Sequence, residues 1–174
     1  GHSMLFDSAG ARMTITNVTL SPPWSVELWV KRIDGKGPSA PLFASSAASL
    51  RLEQYQANRR VGFTQTGVDD FEFDYVAPSH EWVHLTFVGA APGTCRLVTG
   101  KFHSCLNIRS FLPLEYFGSI PSASTEQLRA EVDEVRVWRV ERTEAEVQAS
   151  MRRRLRGAEQ GLVGYWNFDG SSST

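Results

Sequence analysis

The chain contains several stretches in which apolar and polar residues alternate at period two, the pattern of strands that bury one face. Residues 24–32 show this alternation most clearly. Clusters of Gly, Pro, Ser and Asn separate further stretches of the same kind, at 12–16, 50–54, 61–65, 71–76, 81–89, 96–106 and 132–140. Short strands spaced in this way predict an all-β fold, built as a two-sheet antiparallel sandwich.

One short helix is predicted before the last strand. Thr143 and Glu146 have the spacing of a capping box, and Val147 and Met151 form an apolar stripe four residues apart. Because glycine commonly follows the last turn of a helix, we expect this helix to stop at Gly157.

Four arginines, Arg152, Arg153, Arg154 and Arg156, would then crowd the last turn of the helix. Positive charge at that position interacts favourably with the carbonyl end of the helix dipole. The sequence leaves two interpretations open, a solvated helix end or a basic patch that docks a partner.

The boundaries of the domain follow from the two chain ends. Residues 161–168 form a last alternating strand, and its expected mate is the first strand, at residues 4–6. We interpret residues 1–3 as a remnant of tag cleavage, 4–170 as one sandwich domain and 171–174 as a tail. A chain of 174 residues with 41% hydrophobic content is sufficient for one such core.

Four segments in order resemble the laminin-G-like domains of the concanavalin A-like lectin superfamily. They are residues 25–31 (SVELWVK), 82–88 followed by 96–101 (WVHLTFV and RLVTGK), 132–138 before the predicted helix (VDEVRVW) and 161–169 (GLVGYWNFD). The resemblance implies a jelly-roll sandwich and a lectin-like, sugar-binding function. In that family the carboxylate matching Asp133 is usually structural, and many members bind calcium.

Four tryptophans lie in alternating strands, where a large aromatic ring can fill the space between two sheets. They are Trp29, Trp82, Trp138 and Trp166. We interpret all four as core residues, and the alternative for each is a platform on which a sugar stacks.

Catalysis is not predicted. The same superfamily includes laminarinase-like glycosidases, whose strand carries carboxylates on one face of a cleft. In residues 131–136, Glu131 and Asp133 share a face, but strict alternation turns Glu134 to the other side of the sheet. Val135 or Arg136 then occupies the place of the second carboxylate, and we therefore expect no enzyme.

The two cysteines lie in one predicted hairpin. A two-residue turn at Thr99-Gly100 pairs Cys95 with Ser104, which points the thiols of Cys95 and Cys105 to opposite faces and leaves them free. A bulge or a longer loop would align them for a disulfide. Free thiols favour a reducing compartment, whereas the sequon at Asn17 matters only in a secreted protein, so the compartment stays open.

No cofactor is predicted, because the cysteines and histidines lack zinc spacing. Calcium stays open as an alternative, since carboxylate oxygens suit this ion. Two acidic groups could supply ligands, neither with a diagnostic spacing: Asp69, Asp70, Glu72 and Asp74, and the pair Asp7 and Asp169.

A protein-interaction module of a larger protein is the function that the sequence favours. The residues expected to dock a protein partner are Phe111 and Leu112, in a loop that we predict to be exposed, and Arg152, Arg153 and Arg156. The net charge of −1 indicates no nucleic-acid partner, and no apolar run is long enough to insert into a membrane.

A carbohydrate-binding module is the alternative function. Such a site needs exposed aromatic rings beside amide or carboxylate groups. The candidate ligand-binding residues, all near predicted strand ends, are Tyr55, Asn58, Tyr75 and Tyr116.

Overall fold

The computed structural model describes residues 1–34, 37–123 and 125–170, and only the backbone of residues 16–18. The predicted tail at 171–174 and the side chain of Asn17 therefore lie outside the described residues. The described chain forms β1 (Met4–Phe6), β2 (Arg12–Leu20), β3 (Trp24–Arg32), β4 (Ala40–Ala44), β5 (Ala48–Glu53), β6 (Gly62–Gln65), β7 (Asp69–Glu72), β8 (Trp82–Ala90), β9 (Thr94–Val98), β10 (Phe102–Leu106), β11 (Leu112–Gly118), β12 (Ala130–Trp138), α1 (Glu144–Ser150) and β13 (Leu162–Trp166).

The strands form two antiparallel sheets. The first sheet has the order β1-β12-β3-β8-β9-β10, and β13 also pairs with β12. The second sheet has the order β2-β11-β4-β5-β6-β7. The predicted two-sheet sandwich with one short helix before the last strand is thus confirmed.

Strand β3 illustrates how alternation builds the core. Trp24, Val26 and Leu28 are fully buried in the hydrophobic core, and the Trp24 indole N–H donates to the carbonyl of Ser110 at 2.9 Å. Successive side chains of a strand point to opposite faces, so Trp29 lies on the outer face of the first sheet. Trp24 therefore lies between the two sheets, and Trp29 does not.

The prediction that four tryptophans are core residues is wrong for Trp29 and Trp82, and Trp138 is buried but does not lie between the two sheets. Trp166 packs against the core. Trp138 is buried on the outer face of the first sheet, where the Arg142 guanidinium lies 4.3 Å from its ring centroid. Trp29 is half-buried and Trp82 is 40% exposed, because strand parity directs both away from the core.

The predicted pairing of the first and last strands is also wrong. Met4 pairs with Val132, and Trp166 pairs with Val135, so both strands pair with β12. Strand β3 occupies the other edge of β12 along the same residues. The two chain ends therefore follow each other along one edge of β12 instead of pairing together.

Two strands of the second sheet, β4 and β11, were not predicted from the sequence. Both contain a proline, which argues against a central strand because it cannot donate to the ladder. Pro41 lies at a register shift between β4 and β5, and Pro113 pairs with Thr19 on β2. Leu112, expected in an exposed loop, begins β11 and is fully buried in the core.

The hairpin of β9 and β10 contains an irregularity that changes the predicted register. A register shift between Phe102 and Ser104 pairs Ser104 with Leu97, so Cys95 faces Leu106 and not Ser104. Cys95 is buried, Cys105 is exposed, and both are free. The predicted partner of Cys95 was wrong, whereas the prediction of two free thiols is confirmed.

The helix is shorter than predicted. The capping box of Thr143 and Glu146 is present, but α1 ends at Ser150 with Met151 as its C-cap. Its last turn contains no basic residue, and Val147 is its buried side chain. Beyond Val147 no apolar stripe holds further turns on the sheet, so Arg152, Arg153 and Arg156 lie on an irregular segment after the helix.

Candidate functional site

The outer face of the first sheet carries aromatic and charged side chains in register. Cross-strand partners of an antiparallel sheet project from the same face. Three successive rows run across β8, β3 and β12: Trp82, Lys31 and Glu131; His84, Trp29 and Asp133; and Thr86, Glu27 and Arg136.

A bulge in β12 brings Glu134 to this same face. The register shifts between Asp133 and Arg136, and Glu134 adopts φ 51°, a conformation that is uncommon for residues other than glycine. The Glu134 carboxylate accepts from Arg136 at 2.7 Å and from the Tyr165 hydroxyl at 2.8 Å. The expectation that Glu134 points to the other side of the sheet was wrong, because the bulge interrupts the alternation.

The residues after α1, which we name the arginine segment (residues 151–156), lie over the last two rows. The fully buried Arg136 donates to the carbonyls of Ser150 at 3.0 Å and Arg153 at 2.6 Å. The Trp29 indole donates to the carbonyl of Met151 at 2.8 Å. Side chains of the sheet thus hold the backbone of this segment.

The tryptophan–arginine pocket is formed by residues of the outer face of the first sheet together with residues of the arginine segment. It has a volume of about 310 Å³ and combines two indole rings, two carboxylates and three guanidinium groups. Its lining residues are Trp29, Trp82, Asp133, Glu134, Met151, Arg152, Arg153 and Arg154. Binding pockets commonly begin at about this size and join apolar surface with a few polar groups.

Burial raises the pKa values of two groups at or next to the pocket, Asp133 and Tyr165. Burial raises the pKa of the Asp133 carboxyl, although that group accepts from the backbone N–H of Glu134 at 2.7 Å. Burial also raises the pKa of Tyr165 to about 12, with its hydrogen bond to Glu134 as the next cause. Asp133 thus accepts from a backbone amide of the bulge, and Glu134 is held by Arg136 and Tyr165.

A buried polar layer lies beneath the helix and the arginine segment. Glu27 is fully buried, with Arg142 Nε 3.1 Å from its Oε1 and Arg136 Nη1 3.6 Å from its Oε2. Burial raises the pKa of Glu27 against the opposing effect of these two arginines. Burial, together with the charges of Arg136 and Arg152, lowers the pKa of His84 to about 3.

Two of the predicted ligand-binding residues are close together. Tyr55, 43% exposed, donates through its hydroxyl to Asp70 at 2.7 Å, and Asn58 donates to Glu72 at 2.7 Å. Asp70 and Glu72 both belong to β7, at the edge of the second sheet. The polar groups of Tyr55 and Asn58 are therefore already bonded to side chains of this chain.

The other two predicted ligand-binding residues lie apart from that cluster. Tyr75 packs against the core, and its ring meets His103 edge to face at a centroid distance of 4.6 Å. Tyr116 lies on β11 under the guanidinium of Arg12, 6.0 Å from its ring centroid. The four residues do not form one site.

The predicted docking residues also separate. Phe111 is 36% exposed, with the Arg109 guanidinium 5.7 Å from its ring centroid. Leu112 contributes to the core and offers no docking surface. Arg152 and Arg153 line the tryptophan–arginine pocket, whereas Arg156 lines a neighbouring hollow.

Sequence reasoning missed Trp29 and Trp82 as surface residues of a pocket. Val26, Leu28 and Val30 point into the core. Trp29 lies between two of these positions, so its side chain points to the opposite face of the sheet. Trp82 likewise alternates with Val83 and Leu85. Parity along each strand was the signal that identifies both rings as outward-facing.

The described residues contain neither a metal-binding cluster nor a membrane-spanning helix. None of them forms a group of three or more His, Cys, Asp or Glu side chains suited to a metal ion. No described helix has the length and apolar character needed to cross a membrane.

Comparison with known proteins identifies the family. The model of the concanavalin A-like lectin/glucanases superfamily matches residues 7–148 of this chain. No curated protein matches the chain by sequence.

Several solved structures share the fold at low sequence identity. A protein from Bacteroides ovatus, provisionally described as carbohydrate-binding, is 18% identical with a TM-score of 0.77 over 99% of this chain and 52% of its own. Domain 4 of an extracellular arabinanase from Geobacillus stearothermophilus, in complex with arabinotriose, is 16% identical with a TM-score of 0.57 over 79% and 70%. A pentraxin from Limulus polyphemus is 13% identical with a TM-score of 0.57 over 79% and 72%. The chain spans about half the length of the Bacteroides ovatus protein.

Proposed function

The chain belongs to the concanavalin A-like lectin/glucanases superfamily, and from that premise we propose that it is a non-catalytic carbohydrate-binding domain. The tryptophan–arginine pocket is the proposed site. The descriptions of the Bacteroides ovatus protein and of the arabinanase domain, which name carbohydrate binding and a bound trisaccharide, support this class of ligand.

The observation that carries the proposal is the indole of Trp82. It is 40% exposed at the mouth of a pocket that also contains Trp29 and the carboxylate of Asp133. The C–H face of a sugar ring packs well on an indole, and its hydroxyl groups need hydrogen-bonding partners close by. In this pocket the indole rings supply the apolar side, and the neighbouring carboxylate supplies a hydrogen-bonding partner.

The carboxylates of the pocket support a binding role over hydrolysis. Both oxygens of Glu134 accept hydrogen bonds, from Arg136 and from Tyr165. One oxygen of Asp133 accepts from the backbone of the bulge. Carboxylates committed to neighbouring donors are poorly placed to act as the acid and nucleophile of a glycosidase.

Isothermal titration with a panel of neutral and acidic oligosaccharides, with and without calcium, tests the proposal. We expect at least one oligosaccharide to bind, and Trp82→Ala to weaken it about tenfold, which is about 1.4 kcal/mol, because aromatic anchors dominate binding energies. Phe102→Ala is the matched control, since Phe102 is 49% exposed and outside the pocket lining. No release of reducing ends is expected.

Two results would contradict the proposal. One is the absence of heat with every sugar at millimolar concentration, and the other is equal affinity of the wild-type and Trp82→Ala proteins. Thermal unfolding of each variant should first establish that Trp82→Ala and Phe102→Ala are folded.

Docking of a protein partner is the second candidate function. The exposed ring of Phe111, with Pro113, Phe63 and Ala47, lines a hollow of about 150 Å³ at the second sheet. This hollow has about half the volume of the tryptophan–arginine pocket, and no charged side chain lines it among the described residues. It becomes the working hypothesis if the oligosaccharide panel gives no binding.

A further inference from the structure

The charges at the pocket leave two cations without a carboxylate partner. Arg154 pairs with Asp169 at 3.6 Å, and Glu134 pairs with the buried Arg136. Within the described residues, no carboxylate lies within ion-pair distance of Arg152 or Arg153. Both guanidinium groups are exposed and line the pocket.

These two arginines stand on a backbone that is fixed in place. The buried Arg136 and the indole N–H of Trp29 hold the carbonyls on both sides of Arg152, and the Arg153 carbonyl accepts from Arg136. The backbone N–H of Leu155 donates to the hydroxyl of Tyr165 at 3.3 Å. A ligand that meets these arginines pays little for ordering their backbone.

One of these arginines, Arg152, and the neighbouring Lys31 lie near the indole rings of the pocket. The Arg152 guanidinium lies 5.7 Å from the ring centroid of Trp29, and the Lys31 ammonium lies 5.7 Å from that of Trp82. Lys31 is also paired with Glu131, whereas Arg152 has no carboxylate within ion-pair distance among the described residues. Its planar fork of N–H donors matches the two oxygens of a carboxylate or sulfate group.

We propose that the tryptophan–arginine pocket binds an anionic glycan, whose carboxylate or sulfate group contacts Arg152 and Arg153 while a sugar ring packs on Trp82. This inference rests on the proposed function and names the class of sugar that the pocket prefers. An acidic protein would need the charge but not the two indoles, so the rings favour a glycan.

Matched pairs of ligands test the inference by isothermal titration. Oligogalacturonate and its methyl-esterified form differ in charge and in one methyl group per esterified sugar, and a sulfated oligosaccharide with its unsulfated counterpart forms a second pair. We expect the anionic member of a pair to bind at least tenfold more tightly, and rising salt to reduce the difference. The double variant Arg152→Gln and Arg153→Gln should abolish this preference and leave the neutral ligand unchanged, whereas Arg139→Gln should preserve it.

The outcomes separate the inference from the function on which it rests. If neutral and anionic sugars bind equally through Trp82, the anionic preference is overturned and the carbohydrate-binding function stands. If no sugar binds, both fail. If polyglutamate binds as tightly as the acidic sugars and Trp82→Ala has no effect, the arginines serve a surface for acidic proteins and the inference is overturned.

Discussion

At the scale of single residues, the buried layer beneath the arginine segment contains two groups, His84 and Glu27, whose pKa values are shifted in opposite directions by burial. His84 is buried with one ring nitrogen unbonded among the described residues, and its Nε2 lies 3.8 Å from Glu27 Oε2. Burial keeps His84 neutral and raises the pKa of Glu27. The two groups therefore contribute opposite slopes to stability in acid.

We predict that acid weakens the fold through His84. Its pKa falls from 6.5 to about 3 on folding, so in this window the unfolded chain binds a proton that the folded chain does not. This contribution to stability is fully present above pH 6.5 and decreases as pH falls towards 3. The expected loss between about pH 7 and pH 5 is about 2 kcal/mol, measured by urea unfolding across pH.

The variant His84→Gln should flatten that slope, whatever its absolute stability. Glu27 acts in the other direction, because a raised pKa gives stability that is present below 4.5 and lost as pH rises through the folded value. The difference between the two proteins isolates the histidine. A slope that is unchanged in His84→Gln but altered in the control His103→Gln would contradict the assignment.

The two thiols should differ in reactivity. Burial raises the pKa of Cys95 to about 12, and Cys105 is exposed. The thiolate is the reactive form, so a chromogenic disulfide reagent should titrate one thiol in the folded protein and two in denaturant. Cys105→Ser should remove the fast thiol. Two fast thiols in the folded protein would show that the hairpin opens.

At the scale of elements, the helix and the arginine segment depend on contacts with the sheet. Helix α1 has seven residues, too few to be stable alone. Its buried contact with the sheet is Val147, and two carbonyls at and after its end accept from Arg136. Arg136 thus connects β12, the buried Glu27 and the pocket wall.

We predict that Arg136→Met destabilises the protein by about 3 kcal/mol, since it leaves Glu27 with one fewer cation and the Arg153 carbonyl without its donor. Urea unfolding measures the change. Arg139→Met is the control, because Arg139 is exposed. A loss below about 1 kcal/mol would show that the segment holds its position without Arg136.

Element boundaries were predictable only where one local rule dominated. The capping box fixed the start of α1 at Thr143, but its end depends on which carbonyls the sheet captures, which no local pattern reveals. Strands β4 and β11 escaped prediction because Pro41 and Pro113 contradict the usual rule for central strands, and a register shift accommodates the former. The bulge at Glu134 was hidden because no glycine marks its positive φ, and strict alternation was therefore extended through it.

At the scale of the whole molecule, period-two alternation and four family-like segments were enough to predict the sandwich. The site was harder, because a pocket requires knowing which face each tryptophan takes and what covers it. Trp29 and Trp82 were assigned to the core by size. Each alternates with a core leucine of its own strand, Leu28 or Leu85, and therefore points to the outer face. Arg152 and Arg153 were expected at a docking patch. Their position beside the indoles depends on hydrogen bonds from Arg136, a residue distant in sequence, to the carbonyls of Ser150 and Arg153.

The position of the chain ends has a practical consequence for anyone who fuses this domain to another protein. The backbone N–H of His2 donates to Asp169 at 2.8 Å, and Asp169 is paired with Arg154 of the pocket lining. An affinity handle joined before residue 1 would therefore stand beside the rim of the pocket and obstruct it. Attachment at the turn around Gly93, between β8 and β9, would avoid that edge.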